Sequence, residues 1–323
     1  MKILIVGLGS MGKRRARLLK RLRPDAELLG VDSAESRRTE AEGLGFTALA
    51  TLDEGIAAAP RAAFVCTSPA SHAAIIKPLL TAGIPVFTEL NLVDDGYTEL
   101  QQLAAEKDVT LFLSSTMLYR GETQYIKQQV KEFAKPVSYI YHIGQYLPDW
   151  HPWENYQNFF VGDKRTNGCR EIFGIELPWL TDCFGDAKAV CVQHGKLTGL
   201  NIAYDDSWLV QLLHADGTRG VLAVDVASPK AVRSFECFGE GLHLFWEGNP
   251  KALYRFNKAT GEKEPINVYA DVEHDSRYSD NIVENAYVDE IAEFLDVLDG
   301  KATARYSYAR DQRCVDLMNE IGV

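Results

Sequence analysis

The sequence predicts an α/β chain in two parts. A doubly wound parallel sheet covers residues 1–118, and an α+β domain with an open, largely antiparallel sheet covers residues 119–323. Three observations carry this expectation. At roughly 150 residues per domain, 323 residues imply two domains. Up to about Ser115, strand-like and helix-like segments alternate, the rhythm of a parallel sheet with helices on both faces. After that point, extended segments follow one another without intervening helices, which implies antiparallel or mixed pairing.

The elements follow in chain order. Lys2–Val6 is a short β-branched run, and Met11–Leu22 is a basic helix with Ala16, Leu18, Leu19 and Leu22 facing inward. Glu27–Val31 reads as a strand, Ala34–Glu42 as a helix and Ala62–Thr67 as a buried strand. Pro69 opens a helix through Leu80, since proline suits the first helical turn. Pro85–Thr88, Tyr97–Lys107 and Val109–Leu113 read as strand, helix and strand. In the second domain a helix over Glu122–Phe133 precedes the strand Val137–Tyr146, and residues 148–168 read as a long aromatic loop. A helix near Ile175–Cys183 leads to extended segments at Ala189–Lys196, Trp208–His214, Gly220–Ala227, Arg233–Phe238 and Leu242–Trp246. Ala215-Asp216-Gly217-Thr218 suits a hairpin turn. Asn281–Leu298 carries apolar residues at helical spacing.

Composition excludes several classes. With 46% hydrophobic and 24% charged residues the chain is an ordinary globular one, neither disordered nor collagen-like. A formal net charge of −11 disfavours non-specific binding to nucleic acid or an anionic membrane, although local amides and arginines can still hold a phosphorylated ligand. No apolar run approaches the ~20 residues of a membrane span, and the apolar stretch at Met1–Gly7 is too short for a signal peptide. Six scattered cysteines without a CxxC predict reduced thiols in a cytoplasmic protein, and the histidines show no ligand spacing, so no metal is expected.

Gly7-Leu8-Gly9-Ser10-Met11-Gly12 fits G-x-G-x-x-G, directly after a strand and at the start of a helix. The glycines permit a tight turn and close approach of backbone amides to a pyrophosphate, as in a Rossmann domain. Asp32 closes the second strand near the expected offset for the acid that binds the adenosine ribose. Its charge favours NAD; Ser33 and Arg37, with Arg38, keep NADP possible, because an arginine can take the extra phosphate. The structural alternative is a glycine turn that only packs helix on sheet.

Two further segments add specificity. Val65-Cys66-Thr67-Ser68-Pro69-Ala70-Ser71-His72 ends a strand in a Thr-Ser-Pro turn, and Gly83-Ile84-Pro85-Val86-Phe87-Thr88-Glu89 follows in order. With the glycine loop, they resemble the Gfo/Idh/MocA family of sugar and inositol oxidoreductases. That resemblance implies a nicotinamide cofactor, with Thr67, Ser68, Pro69 and His72 at its nicotinamide end and Glu89 and Asn91 beside it. Ser10 and Met11 join the cofactor loop.

The sequence also departs from the family. The Glu-Lys-Pro motif reads Glu89-Leu90-Asn91, so the lysine is lost. The second-domain histidine and aspartate fall on Ile175 and Pro178 within Gly168–Leu180, and neither can move a proton. Candidate replacements are Glu176, Arg170 and Glu171 on that segment, Tyr119 just past the last strand of the first domain, and His151 in the aromatic loop Tyr146–Tyr156. Each has a structural alternative: Glu176 as a helix carboxylate paired with Arg170 or Lys164, His151 as part of a loop pinned to a core or to a second subunit.

The resemblance implies an NAD(P)-dependent oxidoreductase acting on a carbohydrate or cyclitol. Because the proton-transfer groups are missing, a dinucleotide-binding protein without turnover is the alternative, and a redox-neutral epimerisation or elimination is a third. An open sheet face also predicts a homodimer or homotetramer.

Overall fold

The computed structural model describes residues 1–152, 154–275 and 281–323. Trp153, one of the aromatics of the long loop, lies outside them. The chain forms two compact units: Met1–Ser115 with Tyr287–Gln312, and Thr116–Ala286 with Arg313–Val323.

The first unit holds a six-stranded parallel sheet. Its strands are β1 (Lys2–Val6), β2 (Glu27–Val31), β3 (Thr47–Leu49), β4 (Ala62–Val65), β5 (Val86–Thr88) and β6 (Leu111–Leu113), in the order β3-β2-β1-β4-β5-β6. This is the strand order of a dinucleotide-binding Rossmann sheet. Helices α1 (Ser10–Leu22), α2 (Glu35–Gly43), α3 (Leu52–Ala57), α4 (His72–Thr81) and α5 (Tyr97–Lys107) connect them. Strand alternation divides the core. Leu4, Val6, Ala63, Val65 and Val86 pack with Ile76, Leu79 and Leu100 on one face. Phe64, Phe87 and Phe112 gather around Phe294 on the other, with ring centroids 5.3–5.4 Å from it. Phe294 belongs to α8 (Glu284–Leu298), so residues far along the chain complete this core.

Sequence reading missed β3 and α3. Three residues are too few to show a period, and α3 is a six-residue helix declared mainly by its capping box, Thr51 with Glu54. Pro69–Ser71 forms a 3-10 turn ahead of α4 instead of its first turn.

The second unit begins with α6 (Gly121–Phe133) and β7 (Ser138–Gly144), followed by α7 (Gly168–Phe184). Strands β8 (Ala187–Gly195), β9 (Ser207–His214), β10 (Arg219–Asp225), β11 (Val232–Gly239), β12 (Leu242–Trp246), β13 (Leu253–Asn257) and β14 (Glu262–Pro265) complete its sheet, in the order β14-β13-β12-β11-β7-β10-β9-β8. β7 pairs parallel with β10 and antiparallel with β11, and the other neighbours are antiparallel. The hairpin at Ala215–Thr218 joins β9 to β10, with Gly217 in the left-handed region its turn requires. One sheet face packs Tyr139, Tyr141, Val210, Leu222 and Phe235 into the core. The other leaves Ile140, Leu209, Val221 and Phe238 exposed.

Helix α7 is longer than its sequence predicts, beginning at Gly168. Asn167 caps it by accepting a hydrogen bond from the Arg170 amide at 2.8 Å, and tertiary packing overrides the weak propensity of Gly168 and Gly174. Helix α9 (Tyr308–Ile321) was also not anticipated.

Candidate functional site

The loop between β1 and α1 sorts its three glycines into three tasks. Gly7 has φ of +91°, and a Cβ there would lie 2.8 Å from the Cys66 carbonyl oxygen. A Cβ on Gly12 would lie 1.9 Å from the Gly7 carbonyl oxygen, so this glycine lets the helix start against the strand. Neither reason applies to Gly9, where a Cβ would meet only the Arg37 guanidinium, at 4.0 Å. Its protein side is open. An open glycine flanked by two sterically required ones is what a loop needs when a pyrophosphate must approach the backbone. The residues therefore fit a dinucleotide.

Asp32 is anchored beside the same loop. Its Oδ2 accepts the Leu8 amide at 2.8 Å and its Oδ1 accepts the Ala34 amide at 2.9 Å. The Arg37 guanidinium lies 3.6 Å from Oδ2 and is half exposed. Arg38 donates to the backbone carbonyls of Asp32 and Ser33, at 2.7 and 2.9 Å, and so is occupied with the strand end. Ser10 and Ser33 are exposed, while the Met11 sulfur accepts a hydrogen bond from Arg14 at 3.7 Å.

Past β4, the Thr67–His72 turn is tied to itself. Ser71 donates to the Thr67 hydroxyl at 2.8 Å and to the Ser68 carbonyl at 2.7 Å. His72 is 2% exposed. Its Nε2 lies 3.0 Å from the Thr67 carbonyl oxygen and its Nδ1 lies 2.6 Å from the Asn91 amide oxygen. Burial lowers its pKa. His72 thus clamps the turn to Asn91; it has no nitrogen left for a reacting group. Pro69 is the first residue of the 3-10 turn that this clamp holds.

Glu89 follows β5 and meets Arg15 of α1. Arg15 Nε donates to Glu89 Oε1 at 2.5 Å, and Arg15 Nη1 lies 2.7 Å from Glu290 Oε2 on α8. The same arginine donates to the Ser114 hydroxyl at 3.0 Å and stacks over Phe87 and Tyr287, 4.7 and 5.0 Å from their ring centres. Arg15 and Glu290 are completely buried. Burial raises the pKa of Glu290, and Arg15 opposes that rise. Sequence reading missed Arg15 and Glu290; only a fold brings together residues 275 positions apart.

The second-unit candidates fare differently. Glu176 has no exposed surface. Its Oε1 accepts from Arg233 at 2.5 Å, and its Oε2 accepts from Tyr141 at 2.6 Å and from Trp179 at 2.7 Å. This is a structural carboxylate. Its partner is Arg233 of β11, not Arg170 or Lys164, and its saturated oxygens remove it from the acid–base candidates. Arg170 is buried as well: it donates to the Val323 carbonyl and to the Asn319 side chain at 2.8 Å, joining α7 to α9. Tyr119 is 2% exposed at the end of a 3-10 turn. His151 keeps partial exposure, sits 2.7 Å from Glu154 and packs against Phe159 with the two ring planes tilted by 34°.

Among the described residues, no group of three metal-ligating side chains converges, and no helix is long and apolar enough to cross a membrane.

Residues 1–115 match the family described as "Oxidoreductase family, NAD-binding Rossmann fold". That stretch is thus similar to the NAD-binding domain of the Gfo/Idh/MocA oxidoreductases. No curated protein matches the sequence. Among solved structures, an oxidoreductase of Agrobacterium radiobacter in complex with NAD+, L-tartaric acid and magnesium superposes with a TM-score of 0.83, at 13% identity over 99% of this chain and 94% of that one. The WlbA dehydrogenase of Bordetella pertussis, in complex with NADH and UDP-GlcNAcA, gives 0.76 at 15% identity over 100% and 95%. Biliverdin reductase of Synechocystis, in complex with biliverdin and NADP+, gives 0.74 at 18% identity over 99% and 98%. At these identities the likeness establishes the fold, and residues 1–115 are its Rossmann half.

Proposed function

We propose that this protein is an NAD-dependent dehydrogenase of the Gfo/Idh/MocA type, acting on a CH–OH group of a carbohydrate or cyclitol. The observation that carries the reading is the glycine loop: Gly9 is open on the side a pyrophosphate would take, while Asp32 is fixed beside it by two backbone amides. When bound, the nicotinamide ring accepts or returns a hydride. The protein's own residues do the rest. Backbone amides at the start of α1 hold the diphosphate. Asp32 retains lone pairs for ribose hydroxyls, and its charge repels a 2′-phosphate, which favours NAD; Arg37 beside it leaves some capacity for NADP. The His72–Asn91 clamp fixes the turn at Thr67, Ser68 and Pro69, and Glu89 stays oriented by Arg15. The sugar assignment rests on the family and on relatives such as WlbA, whose complex contains a nucleotide sugar. His151, packed against Phe159, is the candidate in the aromatic loop for contacting a sugar ring.

Calorimetry with NAD and NADP, followed by nicotinamide absorbance against a panel of sugars, cyclitols and nucleotide sugars, tests this. Heat from NAD with turnover of one substrate class supports it. Binding without turnover supports instead a dinucleotide-binding protein of regulatory role, a reading favoured by Leu90, Ile175 and Pro178 standing where the family carries proton-transfer groups. The exposed Ile140, Leu209, Val221 and Phe238 on one sheet face fit a second copy of this chain as cover, which a size-exclusion mass above the monomer would support.

A further inference from the structure

The contact that holds the Thr67–His72 turn poses a proton problem. Both ring nitrogens of His72 face acceptors: Nε2 lies 3.0 Å from the Thr67 carbonyl oxygen, and Nδ1 lies 2.6 Å from Asn91 Oδ1. Two acceptors require two N–H groups, so this arrangement suits the charged imidazolium. Burial works the other way. His72 is 2% exposed, and desolvation outweighs both its hydrogen bonds and the nearby Glu89 charge, so its pKa is lowered. Near pH 7 the ring is therefore neutral, with a single N–H.

Two buried atoms beside the contact show how a neutral ring is accommodated. Asn91 Nδ2 and the Tyr308 hydroxyl have no hydrogen-bond partner among the described residues. Buried polar atoms in folded proteins are nearly always paired, so each orphan needs a reason. Tyr308 faces the side chains of Asn91 and Thr88, while Tyr97 and Tyr306 donate their hydroxyls to Asp311. Turning the Asn91 amide over exchanges its oxygen and nitrogen and leaves its shape unchanged. The nitrogen then donates to His72 Nδ1, and the oxygen accepts from Tyr308. One rotation satisfies the neutral ring and both orphans. Glu89 is the charge that reaches His72, and Arg15 holds it; Thr88 Oγ1 lies 3.3 Å from Nδ1. All these residues belong to the first compact unit. Asn91 stands where the family motif carries proline, which has no side-chain amide to turn.

We propose that His72, Asn91 and Tyr308 form a proton-coupled latch on the turn that receives the nicotinamide end of the dinucleotide. With His72 neutral, Nε2–H donates to Thr67, Asn91 gives an amide N–H to Nδ1, and the Asn91 oxygen accepts from Tyr308. With His72 protonated, the amide turns back to present Oδ1, and the Tyr308 hydroxyl loses its partner. The neutral state pairs every group and holds the turn most firmly. Asn91 and Tyr308 are thus positioning residues that act through His72. The latch rests on the NAD-binding reading above and adds a pH dependence to it.

The test uses the full-length protein with nitrogen-15-labelled histidine, and His72→Gln identifies the His72 signals. Ring nitrogen shifts are followed against pH by magnetic resonance, and NAD affinity is measured by calorimetry over the same range. At about pH 8 we expect Nε2 protonated and Nδ1 bare. Asn91→Asp replaces the turning amide with a carboxylate that only accepts, so the His72 pKa should rise by about 1–3. Tyr308→Phe removes the hydroxyl that favours the turned amide and should raise it by roughly 0.5–1. This milder variant carries the test if Asn91→Asp does not fold. The parent's NAD affinity should fall about two- to tenfold, as expected for one hydrogen bond, when pH drops through the His72 pKa. The midpoint of that fall should move upward with the pKa in each variant. A proton on Nδ1 at about pH 8, or a His72 pKa unchanged by the substitutions, overturns the latch. NAD affinity that ignores the His72 titration, in a protein that binds NAD, overturns its coupling to the turn. Failure to bind NAD at any pH overturns the dehydrogenase reading instead, and the nitrogen shifts still decide the latch.

Discussion

The loop after β1 and the helix α7 use side chains in opposite ways. In the loop, the functional features are local. Gly7, Gly9 and Gly12 lie within six residues, and Asp32 is bound by the amides of Leu8 and Ala34. On α7, polar residues are taken up by distant partners. Glu176 is held from Tyr141 and Arg233, and Arg170 from Val323 and Asn319. A polar side chain on a buried helix must be paired or pay its desolvation, so most polar residues there become structural. Among the described residues, Glu171 differs in keeping a buried oxygen without a hydrogen-bond partner.

The largest test of this contrast falls on Arg15, where the first unit itself uses distant partners. Arg15→Ala leaves Glu89 and Glu290 without their cation. Stability should fall by about 3–5 kcal/mol in denaturant melts, because an uncompensated buried charge remains. A loss below 1 kcal/mol would show that the pair relaxes or is solvated.

Next is Glu176→Ala, which strands the Arg233 guanidinium beside Tyr141 and Trp179. A loss of similar size, about 3 kcal/mol, is expected. The pH profile of whatever activity survives should match the parent's. A displaced profile would return Glu176 to the acid–base candidates.

The glycines sharpen the other half. Gly9→Ala should weaken NAD at least tenfold, about 1.4 kcal/mol, with little change in melting temperature, since its Cβ enters open space on the protein side. Gly7→Ala should instead lower the melting temperature, through its positive φ and its contact with Cys66. Equal stability losses for the two would break the division of tasks.

A pH effect separates a further buried acid. Asp311 of α9, which accepts from Tyr97 and Tyr306, is pushed by burial up to about 6. Its folded value lies above the ordinary aspartate value of 3.8, so its contribution to stability is present in full below pH 3.8 and declines as pH rises through about 6. The stability difference between the parent and Asp311→Asn should therefore move against the parent between pH 4 and 7 in urea melts. The smallest effect is expected at His151→Ala, within about 0.5 kcal/mol, because its loop position is partly exposed.

Much of the first unit was readable from sequence because its signals repeat over short distances. The strand–helix rhythm, the glycine spacing and Tyr97–Lys107 all declare themselves within a few residues. The hairpin at Ala215–Thr218 is legible for the same reason. What escaped were elements with little periodic content, such as Thr47–Leu49, and the edge strand Glu262–Pro265, whose residues are all exposed. Glu171 and Glu176 are both visible as acids on one segment, five residues apart, but nothing in their sequence neighbours shows that Glu176 is the one tied to Arg233.

The sequence by itself determined the strand order's repeating unit, the open glycine turn and the acid that faces it, because backbone sterics and period-two or period-3.6 patterning act between near neighbours. The tertiary structure alone decided which carboxylates are tied to distant cations. Pairing energy depends on groups brought together from 57 positions away for Glu176 and Arg233 and 275 for Arg15 and Glu290, and burial strengthens each such pairing and penalises each omission.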